Sequence, residues 1–271
     1  MKRKALFLDL DGTLLNDQKE ITEGNRKAIE KALFLGHKVI IATGRPLVSA
    51  IKQGKALGLT GPGCYMISFN GGIIYDMAEE KIIYKQVIPM ELTRRVFAEA
   101  NKRGIHIQTY DDTHALVESR NDNDNIRFYC KSIKMDYKVI DDIMTHETEP
   151  VKMLMIDFAS REKTSQMITW IRENCKGQLD AFFSTKAYVE IVPANLNKGN
   201  AVLWLSDYLH IPVEDTIAAG DAENDITMIE KAGLGVCMIN GEDPVKAVAD
   251  YITTNDNNHD GIAEVIEKFM L

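Results

Sequence analysis

The apolar positions of this chain follow two rhythms. Short continuous runs of aliphatic residues break off at polar loops: Lys4–Leu10, Lys38–Ala42, Cys64–Phe69, Thr216–Ala219 and Gly233–Met238. Runs of this kind read as strands buried on both faces. Between them the apolar spacing is helical. Thr22–Leu35 carries Ile29, Ala32, Leu33 and Phe34, with Gly36 just beyond as a C-cap; a second helix opens at Pro46 and ends near Leu57. Lys198–Leu209, Asn224–Ala232 and Glu264–Met270 repeat the pattern. Strand alternating with helix predicts an α/β fold: a Rossmann-like three-layer α/β/α core with a parallel sheet and right-handed crossovers.

The middle of the chain differs. A helix over Glu91–Arg103 precedes strand-like runs Ile105–Tyr110 and Ala115–Ser119. After a polar stretch come Lys152–Phe158, a helix over Glu162–Asn174, and the runs Ala181–Ser184 and Tyr188–Val192. Helix–strand–strand thus occurs twice, the signature of an α+β insert with weak internal symmetry. Asn121–Asn125 is expected as a loop. The chain therefore divides into a discontinuous core, residues 1–87 and 193–271, and an inserted domain, residues 88–192.

Composition narrows the function. With 271 residues, 45% of them hydrophobic and 27% charged, there is material for one large or two modest cores. A net charge of −8 argues against a nucleic-acid binder, which would carry a basic stripe. The apolar run after the basic N-terminus stops at Asp9, short of the ~7–15 residues of a signal-peptide core. No stretch reaches the ~18 apolar residues of a membrane span. Cys64, Cys130, Cys175 and Cys237 lie far apart without a CxxC pair, and reduced thiols in the cytoplasm are the expectation.

Four short motifs stand at strand ends or a helix start: Asp9-x-Asp11-Gly12-Thr13, Thr43-Gly44-Arg45, Lys198-Gly199 and Gly220-Asp221-x-x-Asn224-Asp225. In open α/β sheets the ligand crevice lies beyond the carboxyl ends of strands where the strand order reverses. If Lys4–Leu10 is central, flanked by Lys38–Ala42 and Thr216–Ala219, all four motifs meet there. Asp9, Asp11, Asp221 and Asp225 would repel one another without a counter-charge, and an all-oxygen set favours Mg²⁺. Thr43, Lys198 and nearby helix-start amides would add donors, and donors beside a carboxylate-bound cation form a phosphate site. An Asp can itself accept a phosphoryl group. Gly12 lets the chain turn so that Asp9 and Asp11 present differently around one phosphorus. This is nucleophile plus general acid/base, steadied by metal and lysine.

The ordered set DLDGTLL, TGR, NKG and GDAENDI resembles the haloacid dehalogenase superfamily of phosphohydrolases, and the insert resembles the type IIB cap of its Cof-type (YidA-like) sugar phosphatases. The resemblance spans nearly the whole chain. It implies that Asp9 is the nucleophile and a Mg²⁺ ligand. Asp11 would protonate the leaving alkoxide and then activate water, its backbone carbonyl binding Mg²⁺. The Leu10 amide, Thr43 and Gly44 would hold phosphate oxygens, and Lys198 would neutralise developing charge. Asp221 would bind Mg²⁺, Asn224 would contact phosphate, and Asp225 would support the metal directly or through water. An acid at the Asp11 position matches the phosphatases and phosphomutases of the superfamily; its transport ATPases usually carry Thr there. The implied activity is Mg²⁺-dependent hydrolysis of small phosphorylated metabolites, sugar phosphates above all, with the cap as a lid that reads the leaving group. A phosphosugar mutase and a phosphometabolite-binding regulator are the alternatives.

Other features carry less. Asp122-Asn123-Asp124 and Asp221-x-Glu223-x-Asp225 both fail the calcium-loop template at its sixth and twelfth positions. The six histidines lack HxxxH spacing. Met153 and Met155 read as core, and Trp170 and Trp204 as packing. Asn70-Gly71 is either a plain turn or a substrate-side loop, and Glu190 either reaches substrate or pairs across strands. Arg120, His114 and Arg127 are nominated as polar cap residues that set specificity. The protein is expected to act as a monomer or homodimer.

Overall fold

The computed structural model describes residues 2–133, 135–159, 161–175 and 177–271. In chain order, the first stretch comprises β1 (Ala5–Leu8), α1 (Glu23–Phe34), β2 (Lys38–Ala42), α2 (Leu47–Ala56), β3 (Cys64–Ser68), β4 (Ile73–Asp76) and β5 (Lys81–Lys85). The middle contains α3 (Met90–Lys102), β6 (His106–Tyr110), β7 (Ala115–Glu118), α4 (Asp124–Ile133) and β8 (Tyr137–Ile140). It continues with β9 (Met153–Ile156), α5 (Arg161–Asn174), β10 (Leu179–Phe183) and β11 (Tyr188–Pro193). The last stretch holds α6 (Lys198–Tyr208), β12 (Thr216–Gly220), α7 (Ile226–Lys231), β13 (Leu234–Cys237), α8 (Asp243–Lys246), β14 (Tyr251–Ile252) and α9 (Gly261–Phe269).

Two compact units result. One comprises residues up to Pro46, Ala50–Tyr84 and Asn197–Leu271; the other comprises Leu47–Ser49 and Lys85–Leu196. In the first, an eight-stranded sheet runs β14-β13-β12-β1-β2-β3-β4-β5, and its pairs from β14 to β3 are all parallel. β1 pairs with β2 on one side and β12 on the other, so the strand order reverses at β1. Alternate residues of β1 enter opposite cores. Leu6 and Leu8 pack with Ala28, Ile29, Ile262 and Ile266 of α1 and α9. Ala5 and Phe7 pack with Val202, Leu205, Met228 and Ile229 of α6 and α7. A sheet covered on both faces explains the unbroken apolar strands. β4 returns antiparallel to β3.

The second unit holds a six-stranded sheet ordered β10-β11-β9-β6-β7-β8. Helices α3 and α5 cover one face through Val96, Phe97, Met167 and Ile171, which meet Ile107, Met153, Met155, Val189 and Ile191. His106, Gln108 and Tyr110 alternate with those residues and share the opposite face. Asn121–Asn125, expected as a loop, keeps that character only at Asp122 and Asn123, since Asn121 closes a 3₁₀ turn over Ser119–Asn121. α4 starts at Asp124 because Ile126, Tyr129 and Cys130 recur at helical spacing and are buried. Among the described residues no helix is long and apolar enough to cross a membrane.

Candidate active site

The expected motif residues meet at the carboxyl end of β1. Asp9 follows the strand directly, its amide donating to the Ala219 carbonyl of β12 at 3.0 Å. Lys198 opens α6 and is fully buried. Its Nζ donates to Asp9 Oδ1 at 2.5 Å and to Asp225 Oδ1 at 2.6 Å. Asp225, also fully buried, accepts on Oδ2 from the amides of Asp221 and Ala222 at 3.0 and 3.1 Å. It thereby shapes the loop that carries Asp221. Thr13 Oγ1 donates to Asp221 Oδ1 at 2.8 Å. Gly12 adopts φ of +86°, and a Cβ there would collide with the Asp221 carboxylate, so both the turn and the close approach require glycine.

Burial governs the charges. It pushes the Asp9 carboxyl up to about 7; the Lys198 ammonium opposes this, and the Asp225 and Asp221 charges add to it. Burial likewise raises Asp221 to about 6, opposed by the Thr13 hydrogen bond and reinforced by Asp225. Burial disfavours the Lys198 charge, but Asp9 and Asp225 outweigh it and hold the ammonium above its ordinary value.

Asp11 is placed differently. Its carboxylate turns toward two cations: Arg45 donates from Nε to Oδ2 at 3.2 Å and from Nη2 to Oδ1 and Oδ2 at 2.9 and 2.7 Å, and Lys19 Nζ donates to Oδ1 at 2.9 Å. Partial burial alone would raise its pKa, yet Lys19 and Arg45 together bring it below the ordinary value. Arg45 belongs to the TGR motif but was given no task by the sequence. Lys19 and Thr13 were likewise unassigned, although Thr13 sits inside the first motif.

The remaining phosphate-site candidates cluster at adjoining loops. Thr43 directly follows β2 and is 3% exposed, with its carbonyl accepting from the Asn70 amide at 3.0 Å and its Oγ1 from the Arg45 amide at 3.3 Å. A Cβ on Gly44 would press on the Asn70 side chain at 3.1 Å. Asn224 Nδ2 donates to Asn70 Oδ1 at 3.3 Å. The Asn70-Gly71 turn is therefore a loop beside the second and fourth motifs, with Asn70 at φ of +55°. Leu10 is buried in the loop after Asp9, and its carbonyl accepts from Leu15. The polar residues nominated in the insert are held locally. Arg127 pairs with Asp122 and Asp124, Arg120 with Glu118, and His114 sits in the Asp111 turn. Glu190 pairs with the buried Lys152 at 3.4 Å.

Ligand atoms of Asp9, Asp221 and Asp225 all lie within 4.8 Å of one another. With all three ionised and Lys198 charged, three negative charges face one positive, a deficit of two. Such a hard-oxygen set, destabilised by its own burial, fits a divalent cation.

A family model of haloacid dehalogenase-like hydrolases matches residues 6–266. The chain is 30% identical to the 5-amino-6-(5-phospho-D-ribitylamino)uracil phosphatase YcsE of Bacillus subtilis, over 99% of this chain and 96% of that one. A haloacid dehalogenase-like hydrolase from Bacteroides thetaiotaomicron superposes with a TM-score of 0.87 at 31% identity, covering 98% of this chain and 99% of that one. The subclass IIB sugar phosphatase BT4131 gives a TM-score of 0.78 at 25% identity over 98% of both chains.

Proposed function

Because the chain belongs to the haloacid dehalogenase-like hydrolases and is a Cof-type phosphatase, we propose that it hydrolyses small phosphomonoesters, sugar phosphates foremost, through an aspartyl-phosphate on Asp9. The observation that carries this reading is the buried bridge of Lys198 between Asp9 and Asp225, with Asp221 alongside. A bridge of this kind holds a carboxylate in one orientation.

Lys198 bonds Asp9 Oδ1 and fixes the carboxylate, so that one of its oxygens can attack phosphorus while the other faces the cation site. Attack forms the Asp9–phosphorus bond as the ester oxygen departs; Asp11, held ionised between Arg45 and Lys19 in this structure, leaves those cations and takes up a proton from solvent before it delivers that proton to the ester oxygen. Asp11, now a carboxylate, then takes a proton from water, whose oxygen attacks phosphorus and releases Asp9 and inorganic phosphate. Lys198, Thr43, the Leu10 and Gly44 amides and Asn224 hold the phosphoryl oxygens through both steps. Asp9, Asp221 and the Asp11 carbonyl would hold Mg²⁺. Asp225, whose two oxygens already serve Lys198 and two amides, supports that set from behind. When bound, Mg²⁺ supplies positive charge to the transferring phosphoryl group. The inserted unit supplies selection of the leaving group.

The test is phosphate release from a panel of sugar phosphates and p-nitrophenyl phosphate, with Mg²⁺ or EDTA, for wild type and Asp9→Asn. Mg²⁺-dependent release that vanishes in the variant is expected. Undiminished, metal-dependent release by Asp9→Asn would refute the nucleophile assignment.

A further inference from the structure

Resting on the cation site read above, we propose that Asn240, outside all four motifs, is a positioning residue for that site. It pins the Gly12 peptide against the Asp221 carboxylate. Residues 238–241 form a turn directly after β13, closed by the Gly241 amide donating to the Met238 carbonyl at 2.8 Å. Asn is common in turns because its side chain bonds nearby backbone. Here that side chain reaches elsewhere. Asn240 Nδ2 donates to the Gly12 carbonyl at 2.8 Å, across 228 positions, and its Oδ1 accepts from the Asn257 amide at 3.2 Å.

The same loop holds the other side of the site. The Glu242 amide donates to the Asp221 carbonyl at 2.8 Å, and Glu242 Oε2 accepts from the Glu223 amide at 3.2 Å. The Ile239 amide donates to Thr253 Oγ1 at 3.0 Å, which ties the loop to the segment after β14. Residues 239–242 thus clip the first-motif turn to the loop that carries Asp221. Asn257 adds a second grip on the same stretch, its buried Nδ2 donating to the Leu15 carbonyl at 2.9 Å.

Glycine makes the clip necessary. Without a Cβ, Gly12 is free to populate either sign of φ, and it lies at +86° beside the Asp221 carboxylate. Contacts from outside the turn must select that state. Thr13, the next residue, donates to Asp221 Oδ1 at 2.8 Å. The Gly12–Thr13 peptide that Asn240 fixes therefore also sets where that carboxylate oxygen lies. Asn240 is exposed, and one hydrogen bond contributes only about 1 kcal/mol to folding, less where water can replace it. Its consequence is alignment: groups that orient a cation's ligands govern the affinity of the site.

The experiment is calorimetric titration of metal-free protein with Mg²⁺, for wild type, Asn240→Ala and Asn258→Ala. Asn258 Oδ1 accepts from the Asp17 amide at 3.1 Å, so its removal loosens the same stretch of chain away from Gly12. In Asn240→Ala the Kd for Mg²⁺ should rise about tenfold. Asn258→Ala should keep the wild-type Kd, and both variants should melt close to wild type without metal. An unchanged Kd in Asn240→Ala would overturn this inference alone. So would an equal loss of affinity in Asn258→Ala, or an Asn240→Ala that melts far below wild type, which would assign Asn240 to the fold. Wild-type protein that binds no Mg²⁺ would overturn the cation site itself, and this inference with it.

Discussion

Both units bury charge, but they balance it differently. In the insert, Lys152 is 3% exposed and meets Glu190 at 3.4 Å, one charge against one. Glu118, 2% exposed, accepts from Asn101 Nδ2 at 2.6 Å and the Ile143 amide at 3.2 Å. His106, Gln108 and Tyr110 form a chain of side-chain hydrogen bonds along β6 that continues to Tyr129 of α4. In the core, three carboxylates share one ammonium. Paired burial is what architecture requires, since an isolated buried charge is costly. Burial whose partner charge falls short, raising Asp9 and Asp221 well above their ordinary values, marks a place where chemistry or a cation resolves the deficit.

The contrast breaks most completely at the nucleophile. Asp9→Asn should lower turnover by about a thousandfold or more, with folding retained, as phosphate-release assays and circular dichroism would show. Lys198→Met strikes the balance itself. Removing this ammonium strands Asp9 and Asp225, and urea denaturation of metal-free protein should register a loss of about 3–5 kcal/mol. Stability unchanged in that variant would mean that the cluster does not depend on Lys198.

A pH series sharpens the comparison. Asp9 and Asp221 have folded-state pKa values of about 7 and about 6, above an unfolded value near 3.8. The folded state thus holds these protons more tightly than the unfolded chain. Their stabilising contribution is fully present below about pH 4 and is lost as pH rises through 6 and 7. Metal-free protein should therefore melt at lower temperature at pH 8 than at pH 5.5, and Mg²⁺ should close much of that gap by countering the charges. A melting temperature that rises over this range without metal would contradict the deficit.

The smallest effect is expected in the insert. Lys152→Met leaves Glu190, whose side chain is 15% exposed, able to reach water. The cost should be about 1–2 kcal/mol in urea denaturation, and Mg²⁺ affinity measured by calorimetry should not move.

The two units were also unequally legible. In the core, strands such as KVIIA are apolar without interruption because helices cover both faces of the sheet, and their polar ends could be read as the site. Asp9, Asp11, Thr43, Lys198, Asp221 and Asp225 stood out through the joint order of four motifs at strand ends, although Asp11-Gly12 alone reads as a turn and Lys198 alone as a solvated lysine. What stayed hidden there were contacts without periodicity. Lys19 meets Asp11 across a left-handed turn, and Asn70 meets Asn224 across 154 positions. The insert has one covered and one polar sheet face, and in its edge strand β8 the two middle residues, Lys138 and Val139, are exposed while only the end residues are half-buried, so that strand left no apolar run to read. Arg120, His114 and Arg127 were nominated on polarity alone; Arg120 and Arg127 pair with nearby carboxylates and His114 lies beside Asp111.

The central claim is that the phosphoryl group passes through Asp9. Wild-type protein with Mg²⁺ can be mixed with a ³²P-labelled sugar phosphate, quenched in acid within milliseconds and digested. The account predicts label on the peptide bearing Asp9, and none from Asp9→Asn. Turnover without covalent label, or label on a peptide lacking Asp9, would contradict it.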